Sequence, residues 1–171
     1  MTGAYRPPVL LGAEHDLDGF ECRSEEQSEW LRRHARQSTT TGTTRVLVVT
    51  PANSNVVVAF YAWCMASISL DDAPARARKG AGRYPQPVAL LARLGVDVGH
   101  EGRGIGAGLL QEVIARTHAL GDAIGCRGLL VHAETAEARD SYVHLVPEFE
   151  ASPSDELHLF LLMKDIRRTL S

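Results

Sequence analysis

The sequence has few of the features that mark secreted, membrane or metal-binding proteins. Its three cysteines, Cys22, Cys64 and Cys126, are far apart, and none belongs to a C-x-x-C pair. This spacing predicts free thiols in a reducing compartment and disfavours both a disulfide framework and a zinc site. No apolar run reaches the ~18 residues of a membrane helix, and the first residues lack the pattern of a secretory signal. We therefore expect a cytoplasmic protein with no membrane contact and no metal.

An excess of positive charge is also missing. The 171 residues carry a formal net charge of −3, so the chain as a whole lacks the electrostatic signature of a nucleic-acid-binding protein. A local basic patch is still compatible with this value. With 44% hydrophobic and 23% charged residues, the chain has an ordinary globular composition and is long enough for one domain with a substantial core.

Hydrophobic periodicity predicts alternating helices and strands. A capping box at Ser24–Gln27 begins the first helix, which is expected to end near Ser38. The other helices are expected at 104–120, with Gly121 as the stop, and at 135–145. The strands are expected at 45–50, 56–70, 88–98, 128–132 and 157–163, after a short extended stretch at 9–11. The order favours a mixed α/β sheet, with a loop at 71–87 and a basic tail from Lys164.

The most informative motif lies where the long strand gives way to the second helix. Residues Arg103–Gly108 read R-x-x-G-x-G. Glycines there permit a tight turn and close backbone approach, while the helix N-terminus offers N–H groups and a positive dipole end to a diphosphate. A flexible turn without a ligand is one alternative. A dinucleotide fingerprint, G-x-G-x-x-A at 102–107, is another, although that motif normally opens a repeated parallel βαβ unit.

Three further stretches carry a family resemblance. They are Phe20-Glu21-Cys22 with Trp30-Leu31-Arg32, then Arg93–Asp97, and then Gly128–Ala133 followed by Ala138 and Tyr142. With the glycine turn, they resemble the GCN5-related N-acetyltransferases, and within that family the toxins that acetylate aminoacyl-tRNA. The resemblance covers about residues 9–163. The chain departs from the pattern at Glu148 and at Arg23, where the family usually has glycine.

The resemblance implies a single acetyltransferase domain at 9–163 and a short tail at 164–171. Its fold would be a central mixed, mostly antiparallel sheet flanked by helices. Its cofactor would be acetyl-coenzyme A, with the pyrophosphate on the glycine turn and the acetyl and pantetheine groups along the preceding strand. The implied cofactor-binding residues are Leu94, Val96, Val98, Arg103, Gly104, Ile105, Gly106, Ala107 and Gly108.

The implied catalytic residue is Tyr142, as the acid that protonates the departing thiolate. A core tyrosine with a backbone hydrogen bond is the structural alternative. No general base stands out, which suits an α-amino acceptor because its pKa of ~8 leaves a useful neutral fraction. Asp97 is interpreted mainly as a strand-end residue with a structural hydrogen bond. His132 is open to two interpretations, a substrate or cofactor contact and a satisfied core histidine.

The expected activity is N-acetylation of the α-amino group of an aminoacyl-tRNA, which would block translation. A small-molecule or protein amine is the alternative acceptor, and an inactive coenzyme-binding module is a non-enzymatic alternative. Basic residues could hold tRNA phosphates. The resemblance further implies a ribbon-helix-helix antitoxin, operator DNA bound through it, and a homodimer. The candidate tRNA-binding residues are Arg32, Arg36, Arg76, Arg78, Lys79, Arg83 and Arg93.

Overall fold

Seven strands form one mixed sheet in the computed structural model, which describes residues 3–170. The strands are β1 Val9–Leu10, β2 Arg45–Val49, β3 Ala59–Ile68, β4 Gln86–Val96, β5 Gly128–His132, β6 Glu150–Ala151 and β7 His158–Leu162. Their order is β1-β2-β3-β4-β5-β7-β6. The β4–β5 pair is parallel, while β1–β2, β2–β3, β5–β7 and β6–β7 are antiparallel. The predicted mixed, mostly antiparallel α/β fold is confirmed.

The helices are interspersed with these strands along the chain, and the last helix follows β7. They are α1 Glu25–Arg33, α2 Ala35–Thr41, α3 Ala75–Arg78, α4 Ile105–Ala123, α5 Ala136–Leu145 and α6 Met163–Leu170. A short 3-10 helix at Val98–His100 precedes α4. Within residues 3–170, no helix is both long enough and apolar enough to cross a membrane.

The chain divides into two compact units. The first comprises the residues up to Cys64 together with Ala92–Gln111. Its core packs α1 and α2 against β2 and β3, and Phe60 lies at the centre. The ring of Phe60 meets Phe20 edge-on at 5.5 Å and stacks on Trp30 at 6.1 Å, measured between centroids. Such aromatic pairs add to the hydrophobic stabilisation that burial provides.

The second unit comprises Met65–Leu91 and the residues from Glu112 onward. Its core joins α3 to the strands β4, β5 and β7 through apolar residues that include Ala77, Val88 and Phe160. The parallel register of β4 and β5 spans Ala89–Leu91, paired with Leu129–Val131. Both strands are apolar over this span, as expected where two sheet faces are covered.

The element boundaries correct the sequence-based predictions in several places. The polar stretch after Ser38 is helical to Thr41, and α3 lies within the expected loop. Helix α4 continues past Gly121 to Ala123. At Gly121 the missing Cβ leaves room for Met163, whose Cε would lie 2.5 Å from an added Cβ. Strand β4 ends at Val96, two residues earlier than predicted. The expected basic tail forms helix α6, in which Asp165 and Ile166 are buried.

Candidate functional site

The glycine turn forms a backbone cradle at the start of α4. Gly102 and Gly104 have φ angles of 76° and 78°, in the left-handed region that side chains with a Cβ rarely adopt. The N–H of Gly108 donates to the carbonyl of Gly104 at 3.0 Å, which is the first hydrogen bond of the helix. The N–H groups of residues 105–107 therefore precede the intrahelical bonds, and they lie at the positive end of a 19-residue helix. This geometry suits an anion.

Arg103 is held in place by a two-residue relay. Its Nη1 donates to the hydroxyl of Tyr5 at 2.7 Å, and that hydroxyl lies 2.7 Å from Nδ1 of His100. The rings of Tyr5 and His100 also pack edge-on. Because the tyrosine hydroxyl accepts from the guanidinium, its own proton can go to the imidazole. The exposed Arg103 is thus oriented by contacts within the first unit.

The end of β4 lies beside the turn. An added Cβ on Gly106 would lie 3.6 Å from Cγ2 of Val96. The end of β4 and the first turn of α4 are therefore neighbours at this point. The N–H of Leu94 donates to Oε1 of Gln27 at 3.2 Å, and the N–H of Val98 donates to the carbonyl of Glu21 at 2.9 Å. These two amides therefore have partners within the chain.

Core packing explains why strand β4 carries a glycine at position 95. The residue is buried, and an added Cβ would come 3.1 Å from Cε1 of Phe60 and 3.2 Å from Sγ of Cys22. The glycine therefore provides room for core side chains packed against the strand. Leu94 and Val96, on either side of Gly95, flank this close contact with the core.

Asp97 has a structural role, as its sequence position suggests. Its Oδ1 accepts from the N–H of Gly99 at 2.9 Å and caps the 3-10 helix. Its Oδ2 accepts from the N–H of Glu21 at 3.0 Å. With both oxygens engaged, the side chain connects the segment before α1 to the segment that leads into the turn.

An ion pair joins the same two segments. Nη2 of Arg23 lies 2.8 Å from Oε2 of Glu101, and Nε lies 3.0 Å from each oxygen of that carboxylate. Glu101 directly precedes Gly102. A guanidinium and a carboxylate are therefore paired at the entrance to the glycine turn.

Tyr142 lies on α5 in the second unit. Its ring meets Phe149 edge-on at 6.3 Å and the side chain is half-buried. Burial raises the pKa of its hydroxyl to about 12, so the proton is retained throughout the physiological range. Leu145, three residues further along α5, is 47% exposed. Glu148 is exposed and has a negative φ, so its position does not demand the family glycine.

Four of the seven candidate tRNA-binding residues have partners within the chain. Arg32 donates to the carbonyl of Phe20, and Arg36 donates to those of Gly12 and His15. Arg93 pairs with Glu26 at 2.7 Å and lies over the Trp30 ring at 4.7 Å. Arg76 forms two hydrogen bonds to Asp165, at 2.8 and 3.1 Å, and one to Glu150 at 2.6 Å. These partners give each of the four arginines a structural role within the chain.

The other three candidates lie close together in the sequence, at the end of α3 and just after it, in the second unit. We call residues 75–83 the α3 segment. Arg78, Lys79 and Arg83 have exposed side chains between 78 and 83. Arg127 fixes the backbone beneath them, because its Nη2 donates to the carbonyls of Ala77 at 3.1 Å and Lys79 at 3.0 Å. An exposed basic segment on an anchored backbone is suited to phosphate contacts.

His132 lies at the exposed end of β5 and is not a core histidine. It stacks on His158 with the ring centroids 3.8 Å apart. Desolvation, and then the nearby charge of His158, hold the pKa of His132 below its usual value. The ring is therefore kept neutral at physiological pH.

A cavity of about 470 Å³ opens beside the start of α1. The residues that line it include the acidic Asp18, Glu21 and Glu25 and the basic Arg23 and Arg32. Three acidic residues against two basic ones disfavour the binding of a diphosphate in this cavity. Within residues 3–170, no group of three or more His, Cys, Asp or Glu side chains could hold a metal ion.

Sequence reasoning missed the partners that position the turn. Tyr5 lies 98 residues before Arg103, and no local pattern links the two. Gln27 was recognised as part of the capping box but not as the partner of Leu94. His100 and Glu101 could have been noticed from their closeness in sequence to Arg103.

Comparison with known proteins finds relatives that match almost the whole chain. A tRNA-acetylating toxin of Mycobacterium tuberculosis is 41% identical over 167 residues, which cover 98% of this chain and 97% of that protein. AtaT complexed with acetyl-methionyl-tRNAfMet aligns with a TM-score of 0.86 at 24% identity, over 96% of this chain and 99% of that one. A mutant of AtaT bound to acetyl-CoA and the C-terminus of the antitoxin AtaR gives a TM-score of 0.79 at 23% identity, over 95% of this chain and 96% of that one.

No protein-family model matches the chain. The identity to the mycobacterial protein extends over almost the full length of both sequences, and the protein therefore belongs to the family of the tRNA-acetylating toxins.

Proposed function

We propose that the protein transfers the acetyl group of acetyl-coenzyme A to the α-amino group of an aminoacyl-tRNA and thereby blocks peptide elongation. The observation that carries this proposal is the cradle formed by the glycine turn, the N-terminus of α4 and the anchored Arg103. The mycobacterial relative, named for tRNA acetylation, supports the choice of acceptor.

The residues of the turn fit the coenzyme's diphosphate. Gly102 and Gly104 leave open space where a Cβ would point, so a ligand can approach the backbone. The N–H groups of residues 105–107 and the guanidinium of Arg103 are all donors, as phosphate oxygens require. The predicted contacts of Leu94, Val96 and Val98 with the rest of the coenzyme remain part of this proposal.

The bound coenzyme supplies an acetyl thioester. Acyl transfer to an amine needs a proton donor for the sulfur that leaves, and the Tyr142 hydroxyl is the proposed donor. Because its pKa is about 12, the hydroxyl is protonated at neutral pH. An α-amino acceptor with a pKa of ~8 is partly neutral without a strong base. The N–H of Val96 is the proposed donor to the carbonyl oxygen as negative charge develops there.

The proposed tRNA-binding residues are the three exposed basic residues at 78–83, Arg78, Lys79 and Arg83. Phosphate contacts of this kind give affinity that depends on salt and not on sequence. Reversing charge at Arg78 and Lys79 should raise the KM for charged tRNA without changing the affinity for coenzyme. The matched control is Arg45→Glu, an exposed arginine on β2. A KM for charged tRNA that is the same in the charge-reversed variant as in Arg45→Glu would exclude the α3 segment as a tRNA-binding surface.

The proposed partners follow from the family. We infer a ribbon-helix-helix antitoxin, of which the C-terminal segment binds the toxin, and operator DNA bound through that antitoxin. A homodimer remains a prediction. Charged tRNA is consumed on cytoplasmic ribosomes, so the proposed reaction takes place in the cytoplasm.

Substitution of Tyr142 tests the assignment of the acid. Tyr142→Phe removes the proton donor but keeps the ring that packs on Phe149. General acid catalysis typically contributes about 10²–10⁴-fold, so kcat should fall by about 10²-fold or more. The affinity for coenzyme A, measured by calorimetry, should stay within about twofold. Unchanged turnover would exclude Tyr142 as the acid, while loss of both turnover and binding would indicate a structural role.

A further inference from the structure

A charge imbalance surrounds the proposed diphosphate site. The segment from Asp97 to Arg103 that forms the turn carries two carboxylates, those of Asp97 and Glu101, and one guanidinium. The Asp97 carboxylate accepts two backbone hydrogen bonds, whereas Glu101 lies next to Gly102, at the entrance to the turn. Without compensation, the Glu101 carboxylate would repel the phosphates of the coenzyme.

Arg23 supplies that compensation. Its guanidinium forms hydrogen bonds with both oxygens of Glu101, at 2.8 to 3.0 Å. The geometry is that of a two-pronged guanidinium–carboxylate pair, which holds both charges in a defined arrangement. Arginine at this position is also a departure from the resembled family, which usually has glycine there.

The backbone on both sides of Arg23 is fixed. The N–H of Cys22 donates to Oγ of Ser28 at 2.9 Å, and Ser24 caps α1 through the N–H of Gln27 at 3.1 Å. Glu21 is connected to the turn segment through Asp97 and Val98. Arg23 is therefore presented to Glu101 by an anchored segment, although its own side chain is 82% exposed.

Stability does not explain the pair. Exposed ion pairs contribute little to folding because solvent and salt screen them. Removing Arg23 should therefore leave the fold intact and change only the electrostatic potential at the glycine turn.

We propose that Arg23 is a positioning residue for coenzyme binding, which neutralises Glu101 so that the glycine turn can accept the diphosphate. This inference rests on the proposed function, since it assumes that the turn binds the coenzyme. Arg23 acts through Glu101 and makes no essential contact with the phosphates.

A double-mutant cycle tests the proposal through binding. The dissociation constant for coenzyme A is measured by calorimetry for the wild type, Arg23→Gly, Glu101→Gln and the double variant. We expect Arg23→Gly to weaken binding by about tenfold at low salt, since one unpaired carboxylate near a diphosphate acts over a few ångströms. Glu101→Gln should bind at least as tightly as the wild type. The double variant should return to within about twofold of the wild type.

Two controls separate electrostatics from structure. The effect of Arg23→Gly should shrink at 0.5 M salt, because the Debye length there is only about 4 Å. S-acetylpantetheine, which lacks the diphosphate, should serve as acetyl donor with an unchanged KM in Arg23→Gly.

The possible results are distinct. A double variant that remains as weak as Arg23→Gly would overturn the neutralising role, as would an unchanged affinity in Arg23→Gly. An altered KM for S-acetylpantetheine would point to a distorted site and would also contradict the proposal. A wild-type protein that does not bind coenzyme A would instead remove the proposed function itself.

Discussion

The glycine within β4 offers a direct test of how the core supports the proposed site. Gly95 lies between Leu94 and Val96, and a methyl group there would meet Cε1 of Phe60 at 3.1 Å and Sγ of Cys22 at 3.2 Å. Both distances are several tenths of an ångström shorter than an ordinary contact of about 3.5–4.0 Å. Gly95→Ala therefore overfills a packed core and shifts the strand that carries the two predicted coenzyme contacts.

The magnitude follows from two opposing effects. Overpacking of a core typically costs about 1–3 kcal/mol. The φ of Gly95 is not in the left-handed region, so alanine suits the backbone and recovers about 0.4–1 kcal/mol through the unfolded state. The net loss should be about 1–2 kcal/mol, which corresponds to a decrease in Tm of about 2–8 °C for a chain of this size.

Thermal unfolding and calorimetry measure the two consequences. Gly95→Ala should melt below the wild type and bind coenzyme A more weakly, while Gly125→Ala, which would meet no atom within 4 Å, should not lose stability. In a Cys22→Ala background the cost of Gly95→Ala should be smaller by roughly 0.5–1 kcal/mol, since one of the close contacts is removed. A Gly95→Ala variant that melts at or above the wild type would refute the reasoning.

Three further predictions concern single side chains. Because the pKa of Tyr142 is about 12, kcat should not decrease as the pH rises to about 10, and an alkaline decrease below that pH would assign the acid to another group. Tyr5→Phe removes the hydroxyl that orients the motif arginine and should weaken coenzyme A binding about three- to tenfold by calorimetry, whereas equal affinity would show that the relay is dispensable. Arg76→Met should lower the Tm at pH 7, while Arg78→Met should not, because of these two arginines Arg76 alone pairs with the buried Asp165. Since Arg76 holds the pKa of Asp165 below its usual value of ~3.9, the pair stabilises the fold above that pH and the Tm difference should narrow as the pH falls below about 4.

Local signals in the sequence predicted the parts of the fold that depend on neighbouring residues. The capping box located the start of α1, where Ser24 accepts from the N–H of Gln27 as such a motif requires. The glycines of the motif indicated a tight turn, and Gly102 and Gly104 adopt left-handed backbone there. The β-branched and apolar runs of β2 and β5 marked strands with buried cores.

Features set by distant residues were not predictable in this way. Gly121 indicated the end of a helix, yet the helix continues to Ala123, and the missing Cβ at this position leaves room for the side chain of Met163. The expected basic tail became α6 because Asp165 is buried against Arg76, a partner 89 residues away. The sequence lists the basic residues but does not show which of them pair with carboxylates of the same chain and which are available to a ligand. Arg76 and Arg93 pair with carboxylates of the same chain.

A transfer assay tests the central claim most directly. The protein would be incubated with acetyl-coenzyme A radiolabelled in the acetyl group and bulk aminoacylated tRNA, and the same tRNA after removal of the amino acids would be the control. The account predicts label in the charged pool alone, released as N-acetyl amino acid when the ester bond is hydrolysed. Label in neither pool, from a protein that still binds coenzyme A, would contradict the proposed acceptor and point to a small-molecule or protein amine.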